Sequence, residues 1–291
     1  MTDFVKAAPG YRLPAATRLG RVRLEVADLG RSLQFYEGVL GMRTVSRSDA
    51  TAMLAAHGDD AVLVELIERR GAQPVPRHGR LGLYHYAILL PSRAALARFA
   101  AHLGELGVYA GMSDHGVSEA FYLNDPDGLG IEVYADRPRA EWPVRDGVLG
   151  MTLAPIDMPS LLAAADGEQW NGMPAGTVIG HVHLHVGDLD EAAAYFHRAF
   201  GLDEVAQLQG ALFLSAGGYH HHLGTNVWAG NARRPKAGDA RLLEWTVVLP
   251  AASDVEAAVR SVESAGYPVE SDGTGRVLID PWDTRFRLTA P

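Results

Sequence analysis

The chain of 291 residues is long enough for two domains, and its composition, 47% hydrophobic and 21% charged, supports a sizeable core. A net charge of −9 argues against nucleic acid or an anionic membrane surface as the main partner. The absence of cysteine excludes disulfides, thiolate metal sites and cysteine nucleophiles. No secretory signal opens the chain and no segment approaches the roughly 20 apolar residues of a membrane-spanning helix, which predicts a soluble, cytoplasmic protein.

Internal repeats organise the chain. The first relates residues 21–29 to residues 181–189, an offset of 160 positions (21 to 181), and each copy leads into a helical pattern. Each predicted helix has a natural N-cap and a natural glycine stop: Asp28 and Gly41 in the first copy, Asp188 and Gly201 in the second. This repeat predicts that the two halves of the chain share one architecture.

A second repeat relates the apolar stretch 85–91 to residues 244–250, an offset of 159 positions (85 to 244). An alanine-rich amphipathic helix is predicted after each copy, near 94–106 and 253–265. Each copy then reaches an Asp-Pro pair before a last strand, at Asp125-Pro126 and at Asp280-Pro281.

The repeats divide the chain into four modules of about 60 residues, each with the pattern of one strand, one helix and three strands. A module of this kind exposes one apolar sheet face, which it must bury by pairing with another module. The predicted organisation is an N-terminal arm at 1–17, a first domain at 18–138 (modules 18–80 and 81–138), a connector at 139–176 and a second domain at 177–291 (modules 177–238 and 239–291).

Paired modules of this pattern, with His and Glu at the starts and ends of strands, resemble the vicinal oxygen chelate superfamily of glyoxalases, extradiol dioxygenases and bleomycin-resistance proteins. The resemblance extends over residues 18–290 and is greatest to two-domain bacterial catechol-2,3-dioxygenases. It is carried by four motifs at 82–87, 114–120, 131–138 and 217–224. The resemblance implies an α+β fold in which tandem domains form open, cup-shaped β-barrels.

In the extradiol enzymes of this superfamily, two modules build one metal site from two histidines on first strands and one glutamate on a last strand. At the first-strand position the four modules carry, in order, Arg21, His85, His181 and Glu244. At the last-strand position the second module has Glu132 and the fourth has Arg287. Modules two and three therefore hold a complete set, and we predict that His85, Glu132 and His181 bind the metal.

This ligand set requires that modules two and three share one barrel, and it leaves modules one and four to pair with each other. Arg21 and Arg287 are then expected to replace ligands by salt bridges. One rival remains open, in which Glu244 joins His181 and His222 in a site within the second domain. A second ambiguity is that His181, His183 and His185 share one strand face, and only the repeat register selects His181.

The resemblance also implies acid–base groups beside the metal. A His-His pair in the look-alike enzymes corresponds to the run 220–222, where the register favours His221 as the catalytic acid–base residue. His115 and Tyr122, the latter ten residues before Glu132, match a His and a Tyr that hydrogen-bond the bound catechol oxygen. A neutral imidazole can accept a proton from a catechol and return one later. Of these residues, the run 220–222 could instead be a structural cluster, His115 a loop cap and Tyr122 a core aromatic.

The remaining histidines, in loop or helical contexts, are expected to be exposed: His57, His78, His102 and His197.

We interpret the chain as an Fe(II)-dependent extradiol dioxygenase, with Mn(II) as a possible substitute, that acts on a catechol-type diol with O₂ and forms a homo-oligomer. The rivals are a metal-dependent lyase or isomerase of glyoxalase type and a non-catalytic protein that binds an aromatic drug. The single carboxylate in the triad argues against the first rival, and the acid–base groups argue against the second.

Overall fold

The computed structural model describes residues 4–76, 78–208, 210–273 and 275–291, so the first three residues of the predicted N-terminal arm lie outside it. All four modules have the predicted order of one strand, one helix and three strands.

The element bounds of the first half are as follows. Module one comprises β1 (Arg18–Val26), α1 (Leu29–Gly38), β2 (Arg43–Arg47), β3 (Thr51–Ala55) and β4 (Val62–Glu68). Module two comprises β5 (Gly82–Leu89), α2 (Arg93–Leu106), β6 (Gly111–Asp114), β7 (Ser118–Asn124) and β8 (Gly130–Asp136). The connector holds a short 3₁₀ turn (Arg139–Glu141), a hairpin of β9 (Val144–Arg145) and β10 (Val148–Leu149), and α3 (Met158–Ala163).

The second half repeats this plan. Module three comprises β11 (Val178–His185), α4 (Leu189–Ala192) continued by a π-helical segment (Ala193–Ala199), β12 (Asp203–Leu208), β13 (Ala211–Ser215) and β14 (Leu223–Asn226). Module four comprises β15 (Arg241–Val248), α5 (Ala252–Ser264), β16 (Val269–Ser271), β17 (Arg276–Ile279) and β18 (Arg285–Thr289). None of the helices in the described ranges is long and apolar enough to cross a membrane.

The strands form two eight-stranded sheets, and each sheet takes one module from each half of the chain. Modules two and three form the sheet that we call the site sheet, in the order β12-β13-β14-β11-β5-β8-β7-β6. Modules four and one form the second sheet, which we call the charge-paired sheet, in the order β16-β17-β18-β15-β1-β4-β3-β2. The module pairing required by the predicted ligand set is therefore the pairing in the structure, and the α+β fold class is confirmed.

Alternation along the central strands separates a polar cup face from an apolar core face. On β8, Ile131 and Val133 join the main hydrophobic core, whereas Glu132 and Tyr134 lie on the cup face. The same main core contains residues of both sheets and all four modules, because the helices and the backs of the sheets pack together. This core holds the cup face of the site sheet in a fixed shape.

The predicted caps and turns form. Asp28 and Asp188 accept hydrogen bonds from the third backbone N–H after each of them, and Gly41 and Gly201 take positive φ angles of 72° and 92° after the helices. Each Asp-Pro pair begins a turn in which the aspartate Oδ1 accepts two backbone N–H groups before the last strand. The donors are Asp127 and Leu129 for Asp125, and Trp282 and Thr284 for Asp280.

The buried carboxyl of Asp125 makes the stability of the fold depend on pH, and a single substitution tests this dependence. Burial raises the pKa of this carboxyl to about 7, against about 3.9 in an unfolded chain. The folded protein therefore binds more protons than the unfolded chain between these values, so this contribution to stability is full below about pH 4 and is lost as the pH rises through 7. Relative to Asp125→Asn, the wild-type protein should lose up to roughly 1.4 kcal/mol of unfolding free energy per pH unit between pH 5 and 7.

Urea titrations of both proteins in the presence of a chelator, at four pH values, measure this difference. Asp28→Asn is the control, because its exposed carboxylate caps α1 from the surface. A difference between wild type and Asp125→Asn that stays constant with pH would show that Asp125 is ionised in the folded protein throughout this range.

Candidate metal centre

Strand pairing brings His85, Glu132 and His181 to one point on the cup face. β5 runs parallel to β8 and antiparallel to β11, and Ala87 on β5 lies opposite both Glu132 and His181. The methyl side chain of Ala87 leaves open the space between the two larger side chains. His85 is two residues before Ala87 on β5 and therefore lies on the same face.

The three side chains are buried and lie within contact distance of one another. Oε2 of Glu132 lies 3.0 Å from Nε2 of His85 and 3.1 Å from Nε2 of His181. One potential ligand atom from each residue can be chosen so that all three lie within 4.8 Å of one another. No other group of three such residues meets this condition within the described part of the chain.

The protonation states of these side chains, and one buried nitrogen that lacks a well-aligned hydrogen bond to the described residues, are those expected of a site for a divalent cation. Although burial alone would raise it, His181 and His85 hold the pKa of Glu132 well below its usual range, and burial lowers the pKa of His181 to about 4. Carboxylate and neutral imidazole are the forms that bind metals. Nε2 of His85 is buried and lacks a well-aligned hydrogen bond to any described residue, although Glu132 is near. Two imidazoles and one carboxylate are a donor set used for Fe(II) and related ions.

A ring contact followed by two hydrogen bonds connects His181 to Asp136. The ring of His221 lies 4.0 Å from the ring of His181, and Nδ1 of His221 lies 2.9 Å from Nδ1 of His220. Nε2 of His220 donates to Oδ1 of Asp136, at 2.8 Å. Burial lowers the pKa of His221 well below its usual range, so its ring is neutral. Asp136 is on β8, in a different module from the two histidines, so sequence spacing alone could not reveal this contact.

His115 and Tyr122 form a second pair beside Glu132. Nδ1 of His115 donates to the carbonyl oxygen of Thr152 at 2.9 Å, which leaves Nε2 to accept the hydroxyl proton of Tyr122 at 2.6 Å. Tyr122 lies directly opposite Glu132 across β7 and β8. Burial, with a smaller effect of Glu132, raises the pKa of Tyr122 well above its ordinary value, so the phenol keeps its proton.

The structure adds His183, His185 and Asn226 to the cup face. The side-chain amide of Asn226 donates to Nε2 of His183 at 3.0 Å, and its carbonyl accepts from Nδ1 of His185 at 2.7 Å. A Cβ atom at position 224 would lie 2.8 Å from the His183 ring, so the ring's position requires Gly224. The alternation along β11 indicated that these histidines share a face with His181, but the sequence contained no sign of the asparagine that orients them.

The rival ligand set is wrong. Glu244 lies on β15 in the charge-paired sheet, where both carboxylate oxygens accept hydrogen bonds from Arg287, each at 2.8 Å. Nδ1 of His222 accepts the backbone N–H of Ala216 at 3.2 Å. Arg21 and Arg287 form salt bridges as predicted, since Nε of Arg21 also lies 3.5 Å from Oε2 of Glu65.

The expectation that His197 is exposed is also wrong. The helix of module three continues as a π-helix, in which the Phe200 N–H bonds to the Tyr195 carbonyl five residues earlier. His197 lies in this segment and is only 2% exposed, and its Nδ1 donates to the Leu202 carbonyl at 2.8 Å. His57 and His78 are exposed as expected, and His102 is half-buried.

Comparison with known proteins identifies the family. The family described as "Glyoxalase/Bleomycin resistance protein/Dioxygenase superfamily" matches residues 18–133 and 178–279. The chain belongs to this superfamily. A catechol-2,3-dioxygenase of Bacillus subtilis (strain 168) is 44% identical over 269 residues, 91% of this chain and 94% of the relative. A lactoylglutathione lyase of Neisseria meningitidis is 30% identical over 123 residues, 40% of this chain and 88% of the relative. The predicted family is confirmed.

Solved structures of other proteins share the fold. A proposed dioxygenase from Bacillus subtilis superimposes with a TM-score of 0.65 at 17% identity, over 96% of this chain and 86% of that one. Glyoxalase I from Zea mays superimposes with a TM-score of 0.55 at 16% identity, over 94% of this chain and 92% of that one. At these identities the likeness concerns the architecture and not the chemistry.

Proposed function

We propose that the protein is an extradiol dioxygenase that opens the ring of a catechol-type aromatic diol beside its hydroxyl groups and inserts both atoms of O₂. The observation that carries the proposal is the convergence of two imidazoles and one carboxylate on a buried face with acid–base groups beside it. The identity of 44% to a catechol-2,3-dioxygenase across most of the chain supports the same reaction.

His85, Glu132 and His181 would hold Fe(II), for which Mn(II) can substitute because nitrogen and oxygen donors discriminate poorly between the two. Three protein ligands on one face would leave a bound ion accessible to the diol and to O₂, and the ion would supply the chemistry of O₂ activation. The surrounding cup face excludes bulk water from the ligands, since all three side chains are buried.

His221 is the proposed acid–base residue. The Asp136 carboxylate can only accept, so Nε2 of His220 carries a proton and its Nδ1 accepts one from Nδ1 of His221. This arrangement leaves the lone pair of Nε2 in His221 free to take a proton from a substrate hydroxyl. His220 and Asp136 are positioning residues in this scheme, because they fix the tautomer and orientation of His221.

Tyr122 and His115 have a different proposed role. The protonated phenol of Tyr122 is beside Glu132 and close to His85, with ring centroids 5.6 Å apart, so its hydroxyl can reach an oxygen of a bound diol. Before the diol binds, His115 holds the phenol in place through its bond of 2.6 Å. A phenol carries one proton, so a hydrogen bond from Tyr122 to the diol oxygen would replace its bond to His115 and would stabilise negative charge on that oxygen as the diol loses its protons.

Oxygen consumption tests the proposed function. Protein reconstituted with Fe(II) under anaerobic conditions should consume one O₂ per catechol and form the ring-opened product, and His221→Gln should lower kcat by about 10²- to 10⁴-fold. The metal content of His221→Gln should equal that of the wild-type protein, because His221 is not among the three proposed ligands. His57→Ala, at an exposed position, is the matched histidine control.

Other outcomes assign the protein to the rival functions. Tight Fe(II) binding without O₂ uptake on any catechol, together with turnover of a hemithioacetal, would replace the proposal by a glyoxalase-type function. Failure to bind Fe(II), with retained binding of aromatic compounds, would favour a non-catalytic binding protein.

A further inference from the structure

A cleft of about 760 Å³ adjoins the proposed metal centre and extends away from it. Tyr84 links the two, since its ring lies 4.9 Å from the ring of His85 and also lines the cleft. The other described residues of the wall come from three modules: Val75, Pro76, His78, Gly79, Leu83, Asn124, Gly128, His185, Trp228, Ala229 and Gly230. A bound catechol alone would leave this volume empty, so the cleft has room for a substituent on the ring.

Aromatic rings form the wall nearest to the metal centre. Tyr84 lies edge-on to Trp228, with ring centroids 5.7 Å apart, and is 4.7 Å from the ring of His185. The ring of His183 lies 5.7 Å from that of Trp228 behind them. Trp228 and Tyr84 remain 53% and 39% exposed, although large aromatic side chains are otherwise mostly buried in this protein. Their exposed faces are suited to stacking against a planar ring.

One side chain organises this wall. Asn226 binds His183 and His185 through its amide, and its carbonyl oxygen also accepts the backbone N–H of Trp228 at 3.0 Å. The aromatic wall is thus fixed to β11 and β14, the strands that also position His181. A ring stacked here would be held at a defined position relative to the proposed metal centre.

The chemical groups in the wall decide which substituent the cleft can bind. Among the described residues that line the cleft, none carries a carboxylate, an ammonium or a guanidinium group. The lining also includes Val75 and Leu83, which are apolar. A carboxylated side chain would find no opposite charge among these residues, whereas an uncharged planar group would bury its faces against Tyr84 and Trp228.

We infer that the substrate is a catechol with an uncharged aryl substituent, and that Tyr84 and Trp228 determine this specificity by stacking against the substituent. This inference rests on the proposed dioxygenase function and adds the class of diol. It does not require any change in the roles of His85, Glu132, His181 or His221.

Kinetic specificity tests the inference. Oxygen uptake by the Fe(II) enzyme is measured with catechol, 3-phenylcatechol and 3,4-dihydroxyphenylacetate. We expect kcat/KM to be at least about 10-fold higher for 3-phenylcatechol than for the other two diols. Trp228→Ala should reduce the ratio of kcat/KM between 3-phenylcatechol and catechol by about 2- to 13-fold, the equivalent of one aromatic contact. Trp228→Phe should restore most of this ratio, and Tyr109→Ala, an exposed aromatic outside the cleft, is the control.

A preference for the carboxylated diol, or a Trp228→Ala variant that slows all three diols by the same factor, would overturn the inference. Calorimetric binding of biphenyl to the metal-free protein separates this outcome from a failure of the proposed function. If no diol drives O₂ uptake, the dioxygenase proposal fails. Saturable biphenyl binding that Trp228→Ala weakens then still supports the aryl cleft, and absence of binding overturns it.

Discussion

Substitution of His181 or His85 by alanine should remove tightly bound Fe(II) and reduce catechol-dependent O₂ uptake to the background rate. Each change deletes one of the two imidazoles beside Oε2 of Glu132, whose Nε2 atoms lie 3.0 and 3.1 Å from that oxygen. Loss of an outer-shell partner typically weakens a metal site by about 10- to 100-fold, so loss of a ligand should exceed about 100-fold. Metal content after dialysis, followed by Fe(II) titration, measures this effect separately from activity.

A buried histidine away from the site provides the matched control. His197→Ala deletes a ring that is as buried as His181 but bonds to the Leu202 carbonyl. It should lower the unfolding free energy and leave the Fe(II) content per folded molecule unchanged. Equal metal content in wild type, His181→Ala and His85→Ala would refute the proposed ligand set, and O₂ uptake by such variants would refute its role in the reaction.

Arg287→Ala should destabilise the protein more than any surface substitution on the same strand. The Arg287 side chain is 11% exposed and donates two hydrogen bonds of 2.8 Å to the 5%-exposed carboxylate of Glu244. Removal of one partner of a buried ion pair leaves an uncompensated charge and costs about 3–5 kcal/mol. Arg23, with Nη1 3.9 Å from Oε1 of Glu244, compensates only in part. Urea titration of the variant measures the loss of unfolding free energy.

The adjacent pair on β18 is the control. Arg285 also forms an ion pair, 2.6 Å from Glu270, but both side chains are largely exposed, at 40% and 53%. Arg285→Ala should therefore cost less than about 1 kcal/mol. The double variant Glu244→Leu/Arg287→Met should recover most of the stability, because two apolar side chains leave no buried charge. Similar losses in Arg285→Ala and Arg287→Ala would contradict this account.

The sequence predicted the parts of the structure that repeat. The offset of 160 placed Asp28 and Asp188 at matching helix starts, and the unequal residues at one strand position indicated which modules pair. That inference worked because a β-strand fixes which side chains share a face, so a difference between modules at one register position has a structural meaning.

Tertiary contacts were beyond sequence reasoning. Asp136 reaches His220 across the sheet, and Asn226 joins two histidines that precede it by about 40 residues, but neither residue belongs to a periodic pattern. The burial of His197, whose Nδ1 donates to the Leu202 carbonyl, was likewise not indicated by the helical pattern. These are tertiary effects, for which local spacing contains no signal.

The exchange of modules between the two sheets has a consequence during protein synthesis. Arg18 on β1 pairs with Val248 on β15, and His85 on β5 pairs with His183 on β11, so neither half of the chain can complete a sheet from its own strands. While the ribosome has made only the first half, the edges of β1 and β5 lack their partners and are open to pairing with other nascent chains. The second half must emerge before either sheet closes, which makes folding of this protein dependent on long-range contacts and therefore slow.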